Sequence, residues 1–205
     1  PLIPRGSGSS QSGGAIGDGV IVDLSRLRSH GPIDVVGRRV RIEAGVLRGE
    51  VERAAMVVGL RFPVDPSSGA FCTVGGMPAT NAAGPHSLQH GAMRSWVSAL
   101  ECVFDDGTRA TIRRGAPLPN VPAIARFLKN VVPRIASLPP SEIAHRHVRK
   151  DSSGYGIGAW AAGHDLVVLL LACEGTLLIV SALELMLAAA APTAGSCILA
   201  FDDLA

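Results

Sequence analysis

The sequence predicts an α+β domain, with a mixed or antiparallel sheet flanked by helices, and three observations carry that prediction. Strand-like and helix-like apolar patterns both occur, and they interleave irregularly instead of alternating in an even strand–helix rhythm. An Asp-Gly turn between two alternating runs specifies a hairpin and so an antiparallel pair. Finally, 205 residues with 47% hydrophobic and 18% charged side chains suffice for one large core and are too apolar for a disordered chain.

The elements follow in chain order. The start, "PLIPRGSGSSQSGGAIGDG", is apolar and then built almost wholly of Gly and Ser. Two readings are open there: a flexible linker, or a loop whose main chain must approach an anion closely. It fails G-x-G-x-x-G because Gln11 falls on the third glycine, which argues against a Rossmann fold. "GVIVDL" at 19–24 reads as a buried strand, and "RRVRIEAG" at 38–45 alternates as a half-buried one. Residues 46–58 put Leu47, Val51, Ala54, Ala55 and Val58 on one helical face, with Gly59 as the C-terminal stop. "WVSALECVF", Asp105-Asp106-Gly107 and "TRATIRR" make the hairpin. Asn120 is expected to cap a helix with Pro122 in its first turn. Its apolar side is Val121, Ile124, Ala125, Leu128, Val132 and Ile135, and "LPP" at 138–140 ends it.

Composition removes several classes of function. A net charge of +2 with no basic block argues against nucleic acid as a partner. The apolar stretch 166–192 is too interrupted for a transmembrane segment, because Glu174-Gly175 breaks it early and Glu184 breaks it again. Cys72, Cys102, Cys173 and Cys197 form no Cys-x-x-Cys pair and read as reduced thiols of a cytoplasmic protein. His86/His90 and His145/His147 lack carboxylate or thiol companions at ligand spacing, so no metal site is expected.

Three ordered stretches then carry a resemblance. They are P-R-G-x-G-S-S at the start, D-P-S-S…T-V-G-G-M-x-A-T-N-A-x-G in 62–97, and S-S-G-Y…E-G-T-L in 149–187. Together they resemble the PCMH-type FAD-binding domain of the vanillyl-alcohol oxidase superfamily, closest to the D-lactate/glycolate/2-hydroxyglutarate dehydrogenase branch. The resemblance implies that Pro4, Arg5, Gly6, Ser7, Gly8, Ser9 and Ser10, with Gly13, wrap the FAD diphosphate through a nest of main-chain N–H groups. It implies that Pro66, Ser67, Ser68 and the segment to Cys72 pass the flavin, and that Gly75 and Gly76 open a short helix beside it. Ala79, Thr80, Asn81 and Gly84 would line the ribityl and ring region. Glu174 and Gly175, with Ile179 and Val180, would run as a strand beside the ribityl and adenosine portions; the other reading of Glu174 is a helix-ending carboxylate paired to a core donor. The apolar run 165–172 is open between strand and helix, and the resemblance favours a helix from about Asp165.

The resemblance further implies non-covalent FAD, since no His or Cys lies in Pro4–Ser10. It implies hydride transfer from a small-molecule D-2-hydroxy acid to flavin N5, with no catalytic residue assignable in this chain. The electron acceptor is open between an iron–sulfur domain or subunit and a quinone or cytochrome. Location is expected to be cytoplasmic, or peripheral to the inner membrane through partners. Alternatives on the same fold are an alkyl-glycerone-phosphate synthase-like or sugar-lactone oxidase-like enzyme, or a non-catalytic flavin-binding subunit. Residues 1–191 are expected to form the FAD-binding domain without its N-terminal subdomain, and 192–205 to begin a truncated substrate domain. The chain departs from the usual pattern at Leu178 and Ser181 (usually Gly and Thr), at Asp151 (usually Asn), and at His86 and His90 (usually Arg or Lys, and Tyr).

Overall fold

The computed structural model describes residues 1–143, 154–191, 193, 195 and 197–200. His145, His147 and Asp151 lie outside these residues, as does much of the expected start of a second domain.

In chain order the elements are β1 (Leu2–Arg5), β2 (Val20–Asp23), β3 (Arg39–Glu43), α1 (Arg48–Val57), β4 (Leu60–Arg61), α2 (Gly76–Ala79) and α3 (Ser87–His90). After a 3-10 turn (Met93–Ser95) come β5 (Val97–Val103), β6 (Arg109–Arg113), α4 (Pro122–Asn130), α5 (Val132–Ala136) and α6 (Pro140–Ile143). α7 (Ile157–Gly163), α8 (Leu166–Leu170), β7 (Ile179–Met186) and β8 (Ala188–Ala189) complete the described chain.

The main sheet is antiparallel throughout, in the order β3-β7-β5-β6. The alternation read in 38–45 is realised: Val40 and Ile42 turn into the core, where Leu100, Ile112, Leu183 and Leu185 join them. The opposite face is polar. Arg41 on β3 reaches across β7 to hold Glu101 through two bonds of 2.5 and 2.6 Å. Arg113 on β6 reaches across β5 to Glu184, which also accepts a 2.7 Å bond from Ser98. The hairpin is as expected, with Gly107 in the left-handed region at φ +79°.

α1 buries Val51 and Ala55, and Gly59 (φ +72°) follows it as the sequence predicts. α8 starts at Asp165, whose carboxylate caps the Val168 N–H at 3.0 Å. Its residues Leu166, Val167, Leu169 and Leu170 are buried, and the chain then turns into the central strand β7. The membrane-like run is therefore a short core helix plus a core strand. Among the described residues, no helix is long and apolar enough to cross a membrane.

Three expectations need correction. Residues 20–23 do form a strand, but it is exposed (Val20 is 64% accessible), because β2 pairs only with β1 in a separate two-stranded parallel sheet. α4 is entered from Val121, not capped by Asn120, and no side chain caps it. The single helix expected after Pro122 is two, with Val131 ending α4 and preceding α5; Pro133 has no N–H to continue the ladder.

Candidate functional site

One cleft of about 540 Å³ gathers parts of three distant segments, within the ~300–1,000 Å³ range of small-molecule sites. Its walls include Pro4–Ser12, the stretches Pro66–Ser68 and Cys72–Thr73, and Cys173–Gly175 with Leu178 and Val180.

The three segments touch one another. β1 ends at Arg5 and delivers Gly6 directly against Thr73; a Cβ on Gly6 would lie 1.9 Å from Thr73 Oγ1. A Cβ on Gly175 would meet Pro4 Cγ at 2.5 Å. A Cβ on Gly75 would meet the Ala44 main chain at 2.9 Å, and the Gly75 N–H already donates to the Ala44 carbonyl. Glu174 N–H donates to the Ala79 carbonyl at 2.9 Å, tying the third segment to α2. Close main-chain approach is thus built in at each junction.

The Gly/Ser loop has the features of an anion cradle. Among the described residues, the main-chain N–H groups of Gly6 through Ser10 donate to no protein acceptor. Gly8 and Gly13 take φ values of +72° and +78°, which turn successive N–H groups without steric cost. The Ser10 and Ser12 hydroxyls lie 3.2 Å apart beside them. Arg5 supplies a positive charge at the cleft wall and only grazes Asp23 at 3.8 Å. Side-chain-free donors, spare hydroxyls and one cation are the donor set that a diphosphate requires.

Of the residues singled out from the sequence, Pro4, Arg5, Gly6, Ser7, Gly8, Ser9, Ser10, Pro66, Ser67, Ser68, Gly75, Gly76, Ala79, Thr80, Glu174, Gly175 and Val180 line this cleft. Four do not. Gly13 turns the loop at φ +78°, its N–H donating to the Ser10 carbonyl. Asn81 is buried, and its Oδ1 accepts the Arg94 N–H at 3.0 Å. Gly84 packs flat on Asp65, whose carbonyl oxygen lies 2.2 Å from where its Cβ would be. Ile179 is spent on pairing β7 with Val103.

Glu174 and Gly175 are a turn and not a strand, since strand geometry begins only at Ile179. Ala172, Glu174 and Gly175 take φ values of +67°, +48° and +80°. Glu174 is exposed in the cleft and pairs with no core donor. Leu178 is 5% exposed and belongs both to the core cluster and to the cleft wall.

Sequence reasoning missed Thr73 and Ala44 as wall residues. Ala44 carried no usable signal, because its place follows from β3 ending beside Gly75. Cys72 also lines the cleft, and burial pushes its thiol above the usual range, against the smaller opposing effects of Ser68 and Arg48. No group of three or more His, Cys, Asp or Glu suited to a metal occurs among the described residues.

Over residues 1–113 the chain matches the FAD binding domain family. It is similar to a D-lactate dehydrogenase of Archaeoglobus fulgidus, 38% identical over 109 residues, covering 52% of this chain and 24% of that protein. It is similar to glycolate oxidase subunit GlcD of Escherichia coli K12, 34% identical over 114 residues, covering 55% and 23%. A D-lactate dehydrogenase of Anaerostipes hadrus matches 100% of this chain at 29% identity, covering 34% of its own length. A solved alkyldihydroxyacetonephosphate synthase superposes at a TM-score of 0.63 and 20% identity, over 92% of this chain and 27% of that one. That likeness shows a shared fold. The chain spans about a third or less of the length of these relatives.

Proposed function

The chain belongs to the FAD binding domain family, with FAD as its cofactor, and from that premise we propose that it is the cofactor-holding part of a flavin-dependent oxidoreductase acting on a D-2-hydroxy acid. The observation that carries this reading is the row of main-chain N–H groups from Gly6 to Ser10, without protein acceptors among the described residues, on the wall of a cleft that the two later segments close. The names of the relatives, D-lactate dehydrogenase and glycolate oxidase subunit, support the choice of substrate class.

In this reading Gly6 to Ser10 hold the diphosphate, helped by the Ser hydroxyls and the Arg5 charge. Gly75, Gly76, Ala79 and Thr80 offer a wall with little side chain for a flat or extended ligand to lie against. When bound, FAD supplies the two-electron acceptor that the oxidation needs. The attachment is non-covalent: Pro4–Ser10 holds no His or Cys that could tether the flavin, and burial pushes the Cys72 thiol above its usual range, which makes it less reactive. The proton acceptor and the final electron acceptor are proposed to come from outside the described residues.

The test uses the intact protein that contains this chain. It is expected to purify with a two-band flavin spectrum that bleaches under anaerobic D-lactate, glycolate or D-2-hydroxyglutarate and not under L-lactate. A flavin-loaded protein that none of these acids reduces would remove the substrate assignment and leave the family intact.

A further inference from the structure

We infer that Arg48 is the positioning residue of one cleft wall: the segment 62–72 folds around its guanidinium, which sets where Pro66, Ser67, Ser68 and Cys72 stand. The inference rests on reading the cleft as the FAD site for its consequence to the ligand, though not for the placement of the wall.

Arg48 opens α1, and its own N–H donates to the Cys72 carbonyl at 3.0 Å, at the exit of the segment. Its side chain reaches back to the entry. Nη2 donates to the Phe62 carbonyl at 2.9 Å, and Nε donates to the Val64 carbonyl at 3.1 Å. Between these points Gly69 lies flat against it: a Cβ on Gly69 would stand 3.4 Å from Arg48 Cδ. One residue thus touches the entry, middle and exit of the same segment. The bonds inside the segment, from the Gly69 N–H to Pro66 and from the Phe71 and Cys72 N–H groups to Ser68, shape its turn locally. Arg48 fastens that turn to α1.

Burial gives these bonds weight. Phe62 and Val64 are 0% and 1% exposed, so their carbonyls have the guanidinium where an exposed group would have water. The Arg48 side chain is itself only 13% exposed, and a buried charge without a partner is costly. Glu52, one helical turn on, balances it at 3.6 Å and accepts the Phe62 N–H at 2.8 Å. The pair therefore holds both main-chain groups of Phe62. The outer flank of the segment is tied less firmly, by Asp65 to a His86 ring that is 57% exposed. Bonding two carbonyls at once needs the rigid fork of a guanidinium, which an ammonium lacks.

The experiment compares three variants of the full chain. Arg48→Lys keeps the charge and loses the fork, and Arg48→Met keeps the length and loses every donor. Gly59→Ala is the control, a destabilised chain altered beyond the C-terminal end of α1. Thiol labelling is read site by site without flavin, and FAD affinity by quenching of flavin fluorescence. Arg48→Lys is expected to raise the labelling rate of Cys72 relative to Cys173 roughly tenfold and to weaken FAD roughly five- to tenfold. Arg48→Met should do more of both; if it does not fold, the Lys variant decides. Gly59→Ala should lower Tm and leave the labelling ratio and FAD affinity at parental values. A parental labelling ratio in Arg48→Lys, or the same shifts in Gly59→Ala, overturns the inference. So does a freed Cys72 with unchanged FAD affinity, which would show that the cofactor does not depend on this wall. A parent chain that takes up no FAD overturns the cofactor reading alone, because the labelling ratio still decides whether Arg48 places the wall.

Discussion

At Gly6 and Gly175 the absence of a side chain serves two demands at once. Their neighbours need bare main chain for a ligand, but the nearest obstacle to a Cβ is the protein itself: Thr73 for Gly6 and Pro4 for Gly175. Gly175 also sits at φ +80°. Gly175→Ala is expected to destabilise the fold by about 2 kcal/mol or more, from overpacking plus left-handed strain. Gly59→Ala is the control: it has a similar φ of +72° and nothing within 4 Å of the added methyl, so it should cost only about 1–2 kcal/mol. Urea unfolding of the two variants checks the difference, and equal costs would show that the Pro4 contact is soft. The loop's small residues were legible in the sequence. That two glycines are also hinges of segment-to-segment contact was not, because the contacting residues are distant in the chain.

At the scale of elements, the polar face of the main sheet and the α8 cap each give a measurable consequence. Partial desolvation works to raise the Glu184 carboxyl, but the bonds from Arg113 and Ser98 outweigh it and hold it below its ordinary 4.5. A depressed folded value means the stabilisation is present above about pH 4.5 and is lost as the pH falls through the folded value. Arg113→Ala should therefore flatten the acid limb of a Tm-against-pH profile below that pH, while changing neutral-pH stability by no more than about 1 kcal/mol, since the pair is part-exposed. An acid limb of unchanged steepness would assign it to other carboxylates. Asp165→Ala removes the cap on Val168 N–H and should cost about 1 kcal/mol in chemical denaturation. The hairpin was readable because its turn signal is local, whereas the apolar run 165–172 fits strand and helix alike and only the resemblance favoured a helix from about Asp165. Asn120 misled because a capping residue type is a preference, while the chain's entry angle into α4 is set by packing.

For the whole molecule, the ligand should act as a clamp, because the cleft is walled by three segments distant in the chain that meet at close main-chain approaches. Saturating FAD at about 100 times its Kd is expected to add about 2.7 kcal/mol of stability, a Tm rise of roughly 5–10 °C by thermal shift. It should also slow thiol labelling at Cys72 and Cys173, which line the cleft, and leave exposed Cys197 unaffected. Equal labelling rates at all three with and without FAD would place the cofactor elsewhere.

What the sequence determined by itself were the features with short-range causes: the α+β class, the alternating strands, the Asp-Gly hairpin and the glycine-bearing stretches that mark the family. What only the tertiary structure decided was which of those stretches share one cleft. It set Asn81, Gly84 and Ile179 to packing and pairing, brought in Thr73 and Ala44, and turned Glu174 inward on a left-handed backbone. The physical reason is that composition and periodicity report a residue's local preference, whereas the wall of a cleft is drawn by contacts between segments distant in the chain, such as Gly6 with Thr73 and Gly175 with Pro4.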